Sequence, residues 1–358
     1  MARFHPLTVT DIRRDTRDAV VLTLEPPADA RDAFRFIQGQ YLTFRRVFDG
    51  EELRRSYSIC AGRGEGVLRV GIKRVEGGWF SGFANDDLKV GDVLDAMPPM
   101  GNFHAPIEPE RRKRYLGFAG GSGITPLISI VKTVLAEEPL SSFTLVYANR
   151  SASAVMFREE LEDLKSLHIS RFNLVHILES EAPEIDLFSG RLDRAKCDAL
   201  FDQWIDAAGA DLAFICGPEP MMLAVAEALR ARGVPDGRIK FELFASASPG
   251  KARKRETASG SASAGARAAV TVVMDGISKS FEMAKGGESV LEAAIASRID
   301  APFACKAGVC STCRAKVVEG EVEMEANYAL EDYEVKRGYV LTCQSRPLTD
   351  RLVIDYDQ

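Results

Sequence analysis

The chain has 358 residues with a net charge of −6 at pH 7, which predicts more than one hydrophobic core and disfavours nucleic acid as a ligand. Hydrophobic residues make up 46% and charged residues 27%, as in soluble globular proteins. The amino terminus has no apolar core of the signal-peptide type, and the most apolar stretch, 115–136, is interrupted by glycines, a proline and a lysine. We therefore expect a cytoplasmic protein without a membrane segment.

The first predicted domain, residues 1–108, has the pattern of an antiparallel β-barrel. Short apolar runs are separated by glycine-containing turns, as in small barrels and sandwiches. The predicted strands are 19–24, 41–44, 56–60 and 67–73.

Several residues of this barrel could bind a flavin. Alternation along the strand places Arg55 and Tyr57 on one face, where a guanidinium suits a phosphate and a phenol ring suits an isoalloxazine. Residues 77–81 are a candidate helix start, with backbone N–H groups for a pyrophosphate. A surface charge on a barrel is the alternative interpretation of Arg55. The candidate flavin-binding residues are Arg55, Tyr57, Ser58, Lys73, Gly78, Phe80 and Ser81.

The second predicted domain, residues 109–245, alternates strands with helices, which predicts a parallel sheet covered on both faces. The predicted strands are 115–119, 143–148, 172–178, 212–216 and 239–244, and the predicted helices are 155–167 and 221–230.

A glycine-rich turn follows the first strand of this domain. Gly121 and Gly123 would let the backbone approach a pyrophosphate, with Thr125 as the N-cap and Pro126 as the first residue of the next helix. Because Pro126 stands where a third glycine or alanine would be expected, the turn departs from the G-x-G-x-x-G pattern. A tight turn without a ligand is the alternative.

Two further positions favour a nicotinamide nucleotide. Asn149, Arg150 and Ser151 follow the second strand, where an acid would select NADH and an arginine suits the 2′-phosphate of NADPH. Cys216, with Gly217 and Pro218 after it, ends a strand at the edge where such sheets bind ligands. The alternatives are an exposed surface arginine and a buried structural cysteine.

Residues 246–268 are small, polar and partly basic, which predicts a flexible linker; a docking role for its basic patch is the alternative. The third predicted domain, 269–358, has alternating apolar residues from Val270 and a helical pattern from Val290, typical of a small α+β, β-grasp-like fold.

Four of the seven cysteines lie in this last domain, at Cys305, Cys310, Cys313 and Cys343. The spacing C-x4-C-x2-C followed by a distant fourth cysteine is that of plant-type [2Fe–2S] ferredoxins. Zinc is the alternative, but zinc sites usually pair two short cysteine knuckles and Cys343 has no such partner. Transfer from a two-electron nicotinamide donor to a one-electron iron centre also requires a flavin between them.

Four motifs occur in the order typical of one family: Arg55-x-Tyr57-Ser58, Gly78-x-x-Ser81, Gly121-x-Gly123-Ile124-Thr125-Pro126 and Cys216-Gly217-Pro218. The chain thus resembles the ferredoxin–NADP reductase superfamily, and its ferredoxin domain narrows the resemblance to oxygenase reductases. Segments beyond these motifs, one of which ends at Arg55, are similar to the reductase subunits of phenylacetyl-CoA epoxidases, at 4–9, 49–55, 149–150, 327–331 and 338–344.

This resemblance implies an electron path from NADPH through FAD and the [2Fe–2S] cluster to the di-iron oxygenase subunits of a multicomponent complex. It also implies that Cys216 lies near the nicotinamide and that Tyr57 lies against the flavin ring, which makes Cys216, Tyr57 and Ser58 the candidate catalytic residues. Two alternatives stay open: a reductase for another aromatic-ring or steroid oxygenase, and a redox-responsive binding protein without an oxygenase partner. The alternating glutamates from Glu319 to Glu325 would form either a docking face or a solvated strand edge.

Overall fold

A computed structural model of the chain describes residues 4–180, 185–244, 266–330 and 332–358. These residues divide into two compact units, 4–244 and 266–358. Most of the predicted linker 246–268 lies outside the described residues, and its last two residues belong to the first strand of the second unit. Among the described residues, no helix combines the length and the hydropathy that a membrane span requires.

The amino-terminal part of the first unit is an antiparallel barrel, as predicted. It contains β1 (His5–Thr16), β2 (Ala19–Glu25), β3 (Tyr41–Phe48), β4 (Glu51–Ser58), β5 (Leu68–Lys73), helix α1 (Trp79–Asp86) and β6 (Val93–Ala96). The strand order is β4-β3-β6-β1-β2-β5. An antiparallel β-bridge joins Ile59, just after β4, to Val70 of β5, so the two edge strands meet and close the barrel. The sequence analysis missed β1 because only Leu7, Val9 and Thr16 of its twelve residues are buried.

The rest of the first unit is a parallel α/β domain, which also confirms the predicted fold class. Its elements are β7 (Arg114–Gly120), α2 (Ile124–Glu137), β8 (Ser142–Asn149), α3 (Arg158–Leu167), β9 (Phe172–Leu178), α4 (Arg194–Gln203), β10 (Leu212–Cys216), α5 (Glu219–Ala231) and β11 (Ile239–Glu242). The strand order β11-β10-β7-β8-β9 makes the chain reverse direction across the sheet between β7 and β10. Ligands of open parallel sheets bind at such a switch point, outside the carboxyl ends of the strands.

Two predicted helix starts in this domain are wrong. Helix α2 begins at Ile124 with Gly123 as its N-cap, so Thr125 is a helical residue rather than the cap, and its hydroxyl donates to the Ser122 carbonyl at 3.0 Å. Helix α3 begins three residues later than predicted, because Phe157 adopts a positive φ of 56° and donates its N–H to the Asp15 carboxylate. Both starts depend on tertiary contacts that periodicity does not report.

The second unit is a small mixed sheet with two short helices, which confirms the predicted α+β fold. Its elements are β12 (Arg267–Met274), β13 (Ile277–Ala284), α6 (Val290–Ala296), β14 (Arg314–Glu319), β15 (Val322–Met324), α7 (Asp332–Lys336), β16 (Tyr339–Leu341), β17 (Ser345–Pro347) and β18 (Arg351–Asp355). The main sheet has the order β13-β12-β18-β14-β16, and β15 pairs with β17 separately. A capping box of Ser289 and Glu292 starts α6, whose buried side packs on the sheet.

Candidate functional site

The switch point between β7 and β10 is closed so tightly that only glycine fits at three positions. A Cβ on Gly123 would lie 2.1 Å from the Cys216 carbonyl oxygen, and one on Gly120 would lie 2.6 Å from Pro218 Cδ. A Cβ on Gly217 would lie 2.9 Å from the Gly120 nitrogen. The two loops therefore pack backbone against backbone at the sheet edge, and the open space at Gly121, where a Cβ would meet no atom within 4 Å, is where a nucleotide could approach main-chain N–H groups.

Three polar side chains meet beside this edge, from both halves of the first unit. Ser58, at the end of barrel strand β4, donates its hydroxyl to Glu242 Oε2 at 3.2 Å, and Glu242 is the register partner of Cys216 across β10 and β11. Burial raises the pKa of Glu242 to about 8, opposed by the hydrogen bond from Ser58. This carboxyl can therefore hold a proton near neutral pH, as an acid–base group must.

Cys216 is fully buried at the end of β10. Burial, reinforced by the neighbouring Glu242 carboxylate, raises the pKa of its thiol well above the usual value. The thiol therefore stays protonated at neutral pH, and it can pack or donate a hydrogen bond rather than act as a nucleophile.

On the barrel, Tyr57 belongs to an aromatic group. Its ring centroid lies 5.5 Å from that of Phe80 and 6.2 Å from that of Phe44. Burial raises the pKa of its hydroxyl, and the nearby Arg55 opposes that shift. Arg55 is half-buried, and its Nη1 donates to the Arg54 carbonyl at 2.8 Å. Phe80 is 1% exposed, so in the described part of the chain its ring packs against Tyr57 inside the barrel.

The predicted helix start for the flavin pyrophosphate is present at α1, with Gly78 as its N-cap. The Ser81 hydroxyl accepts the Val75 N–H at 3.0 Å and donates to the Gly78 carbonyl at 3.1 Å, so this side chain shapes the turn itself. The first-turn N–H groups that follow are the ones a helix leaves for an anion. Lys73, at the end of β5, has its Nζ 3.7 Å from the Asp18 carboxylate.

The predicted 2′-phosphate segment lies at the carboxyl end of β8. Asn149 is buried, and in the described part of the chain neither atom of its amide has a well-aligned hydrogen-bond partner, although it lies beside the Tyr147 hydroxyl. Arg150 is exposed, and the Ser151 hydroxyl contacts that of Ser153 at 3.0 Å. A buried amide with spare hydrogen-bonding capacity beside an exposed guanidinium fits a bound nucleotide.

The four predicted iron ligands come together in the second unit. Cys310 Sγ lies 3.1 Å from Cys305 Sγ, and Cys343 contacts both Cys305 and Cys313. The hydrogen bond from Cys310 lowers the pKa of Cys305, and the hydrogen bond from Cys343 lowers the pKa of Cys313. In the opposite direction, donating to Cys305 raises the pKa of Cys310 and of Cys343. Three of the four thiols are buried, and Cys305 is partly exposed.

The four cysteines and their loop supply what a binuclear cluster needs, which is four thiolates and hydrogen-bond donors to sulfur. Their sulfurs come together without a geometry ready for one ion, since among the described residues no group of three His, Cys, Asp or Glu side chains is placed to hold a metal ion. The loop also supplies donors, since the Ala307 N–H reaches Cys305 Sγ at 3.3 Å and Gln344 Nε2 lies 3.5 Å from Cys343 Sγ. Gly308, at φ 73°, lets the loop wrap this closely, because a Cβ there would lie 2.9 Å from the Ala326 carbonyl. Such donors stabilise the negative charge on the sulfurs of a cluster.

The sequence analysis missed Glu242, although it lies within the predicted strand 239–244 of a nucleotide-binding sheet. A glutamate that alternates with apolar residues on a strand looks like an ordinary surface charge on its solvent face. Only the packing of the barrel against the sheet brings the Ser58 hydroxyl to it, across 184 residues of sequence.

Comparison with known proteins agrees with this geometry. Three family models match in order: an oxidoreductase FAD-binding domain over residues 6–105, an oxidoreductase NAD-binding domain over 118–227, and a 2Fe-2S iron-sulfur cluster binding domain over 272–348. The protein is therefore an NAD(P)H-dependent oxidoreductase in which FAD and a [2Fe–2S] cluster carry electrons.

Similarity to characterised proteins extends over the whole chain. It is 44% identical over 357 residues to one of the subunits of 1,2-phenylacetyl-CoA epoxidase from Escherichia coli, covering 100% of this chain and 99% of that protein. It is 33% identical to the ferredoxin reductase component of 3-ketosteroid-9-alpha-monooxygenase from Rhodococcus rhodochrous, covering 98% and 96%. The chain belongs to the family of reductase components of multicomponent oxygenases.

Solved structures give the same fold. The chain matches phthalate dioxygenase reductase with a TM-score of 0.60 and 26% identity over 98% of both chains. It also matches an intact type IV self-sufficient cytochrome P450 monooxygenase, with a TM-score of 0.71 and 24% identity. That match covers 98% of this chain but 41% of the other chain. At 24% identity, the likeness concerns the fold alone.

Proposed function

We propose that the protein is the NADPH-dependent reductase component of a cytoplasmic phenylacetyl-CoA epoxidase and that it delivers electrons to a di-iron oxygenase. The observation that carries this proposal is the 44% identity over the full chain to a component of the Escherichia coli epoxidase, against 33% for the steroid monooxygenase reductase. None of the seven cysteines forms a disulfide, which is usual in a reducing compartment.

The residues at the switch point would prepare hydride transfer by holding a proton on the Ser58–Glu242 pair and by shaping the place where the cofactors bind. When bound, FAD supplies the exchange between two-electron and one-electron chemistry. The Ser58 hydroxyl and the Glu242 carboxyl form a hydrogen-bonded pair that can hold or release one proton at the carboxyl edge of the sheet, where a bound nicotinamide and flavin would meet. The buried Cys216 thiol lines the same edge of the sheet and excludes water from it.

NADPH selection would depend on Arg150. It follows β8 directly, as does the residue that contacts the adenosine ribose in sheets of this type. No acid occupies this position, so nothing there favours the free 2′-hydroxyl of NADH. The guanidinium is exposed, which leaves its five donors available to a phosphate.

Reconstitution tests the proposal. Purified reductase, loaded with FAD and iron–sulfur, is combined with the di-iron oxygenase subunits of a phenylacetyl-CoA epoxidase, and NADPH- and oxygen-dependent epoxidation of phenylacetyl-CoA is measured. The matched control replaces the wild-type reductase by its Cys310→Ser variant, which should support no epoxidation. If the wild-type protein reduces ferricyanide but drives a steroid monooxygenase and not the epoxidase, the proposed acceptor is wrong and the reductase assignment stands.

A further inference from the structure

Tyr356, near the carboxyl terminus, reaches the back of the cysteine group. It follows strand β18, where its backbone N–H donates to the Val273 carbonyl at 2.9 Å. Its ring packs in the small hydrophobic cluster that also contains Cys313 and Cys343. Its hydroxyl lies 2.7 Å from the Thr342 hydroxyl, so the end of the chain is connected to the residue directly before a cluster ligand.

The direction of this hydrogen-bond chain follows from counting protons. The Thr342 hydroxyl lies 3.1 Å from the Cys313 carbonyl oxygen, which can only accept. A threonine hydroxyl has one proton, and this contact uses it. Tyr356 therefore donates to Thr342, and two O–H dipoles point in succession toward the Cys313 carbonyl. The Thr342 side chain also lies within hydrogen-bonding reach of the Cys313 thiol.

Thr342 is held in place by burial and by hydrogen bonds of both its backbone and its side chain. It is 0% exposed, its N–H also donates to the Cys313 carbonyl at 3.2 Å, and its carbonyl accepts the Leu291 N–H of helix α6 at 3.1 Å. The Tyr356 hydroxyl donates to the Thr342 oxygen, which can accept at two lone pairs. Thr342 thus joins the backbones of Cys313 and Cys343, and the bond from Tyr356 favours the orientation in which the Thr342 proton points to the Cys313 carbonyl.

We propose that Tyr356 is a positioning residue of the [2Fe–2S] centre, which acts through Thr342 to hold Cys313 and Cys343 at their spacing and to direct two O–H dipoles toward the ligand residue Cys313. The proposal rests on the assignment of the four cysteines as iron ligands, and not on the identity of the oxygenase. Because the reduced cluster carries one more negative charge, dipoles whose hydrogens point toward it stabilise the reduced state.

The first test removes the hydroxyl and keeps the ring, in the full-length protein loaded with FAD and iron–sulfur. We expect Tyr356→Phe to retain two irons per chain but to shift the midpoint potential of the cluster to more negative values and to alter its electron paramagnetic resonance spectrum. Loss of iron to a chelator should be about tenfold faster, the low end for removal of a residue that supports a metal ligand. The matched control is Tyr339→Phe, a tyrosine in the same cluster whose ring lies against the Arg314 guanidinium at 3.6 Å.

A second pair of variants keeps the test informative if Tyr356→Phe folds poorly. Thr342→Val keeps the shape of the side chain and removes the relay, and Thr342→Ser restores the hydroxyl. We expect the valine variant to reproduce the shift in potential and the serine variant to return it toward the wild-type value.

Three results would overturn the proposal. They are an unchanged potential and spectrum in Tyr356→Phe, an equal change in Tyr339→Phe, and a serine variant no closer to wild type than the valine variant. If the wild-type protein binds no iron at these cysteines, the assignment of the cluster fails instead, and iron analysis distinguishes that case.

Discussion

Gly123→Ala tests whether the switch point needs bare backbone. In the wild-type structure the added Cβ would lie 2.1 Å from the Cys216 carbonyl oxygen and 2.9 Å from the Gly217 nitrogen, although Cβ contacts under 3.0 Å essentially do not occur. The atoms in the way are backbone and cannot rotate aside. The ends of β7 and β10 must therefore separate by about 1 Å before the variant can fold, which displaces Cys216 from the cofactor position.

A displacement of this size gives a definite expectation for the rate. Misplacing reacting groups by about 1 Å costs roughly 100-fold in catalysis, equivalent to about 2.7 kcal/mol in the activation free energy. We expect Gly123→Ala to lower kcat/KM for NADPH-dependent ferricyanide reduction by about this factor. The cluster absorbance should stay unchanged, because the cysteines belong to the other unit.

The matched control lies in the same domain but outside the proposed site, just beyond the carboxyl end of α5. Gly233 has a φ of 83°, and a Cβ there would meet no atom within 4 Å. Gly233→Ala should therefore cost roughly 1 kcal/mol in stability from the left-handed backbone and leave the rate within a few-fold of wild type. Stopped-flow absorbance over a range of NADPH concentrations gives the rates of both variants, and thermal unfolding gives their stabilities. A Gly123→Ala variant as fast as Gly233→Ala would refute the argument from backbone contact.

Three other outcomes are expected. Cys310→Ser should abolish the visible absorbance of the cluster and preserve NADPH–ferricyanide activity; simultaneous loss of both would contradict the separation of flavin and cluster roles. Arg150→Ala should raise the KM for NADPH about tenfold, the value of one charge-assisted hydrogen bond, with that for NADH unchanged; equal losses would remove the selectivity argument. Because the pKa of Glu242 is raised to about 8, the folded state holds a proton that the unfolded chain releases, so this group makes stability fall as pH rises from about 4.5 toward 8. Glu242→Gln should flatten that part of the Tm profile, and an identical slope in calorimetry would show that Glu242 does not titrate there.

The sequence by itself determined the chemistry that local spacing encodes. Four cysteines at a ferredoxin spacing indicated the cluster, because a loop that wraps two irons requires its ligands at short fixed intervals. Alternating strands and helices predicted the parallel sheet, and the glycines after β7 marked its ligand edge, because backbone that approaches a ligand or another strand closely excludes Cβ atoms. The comparisons confirm the fold class and the cofactors, while the individual flavin and nucleotide contacts and the domain boundaries stay predictions.

Only the tertiary structure brought together residues that are distant in sequence. Ser58 meets Glu242 because the barrel packs on the sheet edge, and Tyr356 meets Thr342 because β18 runs parallel to β12 and ends beside the cysteines. Thr125 fails as a helix cap because Gly123 is held against Cys216 and the helix starts one residue after it. Periodicity and motifs report neighbours within one element, whereas the proton held by Glu242 and the orientation of the Thr342 hydroxyl depend on burial and partners supplied by other elements.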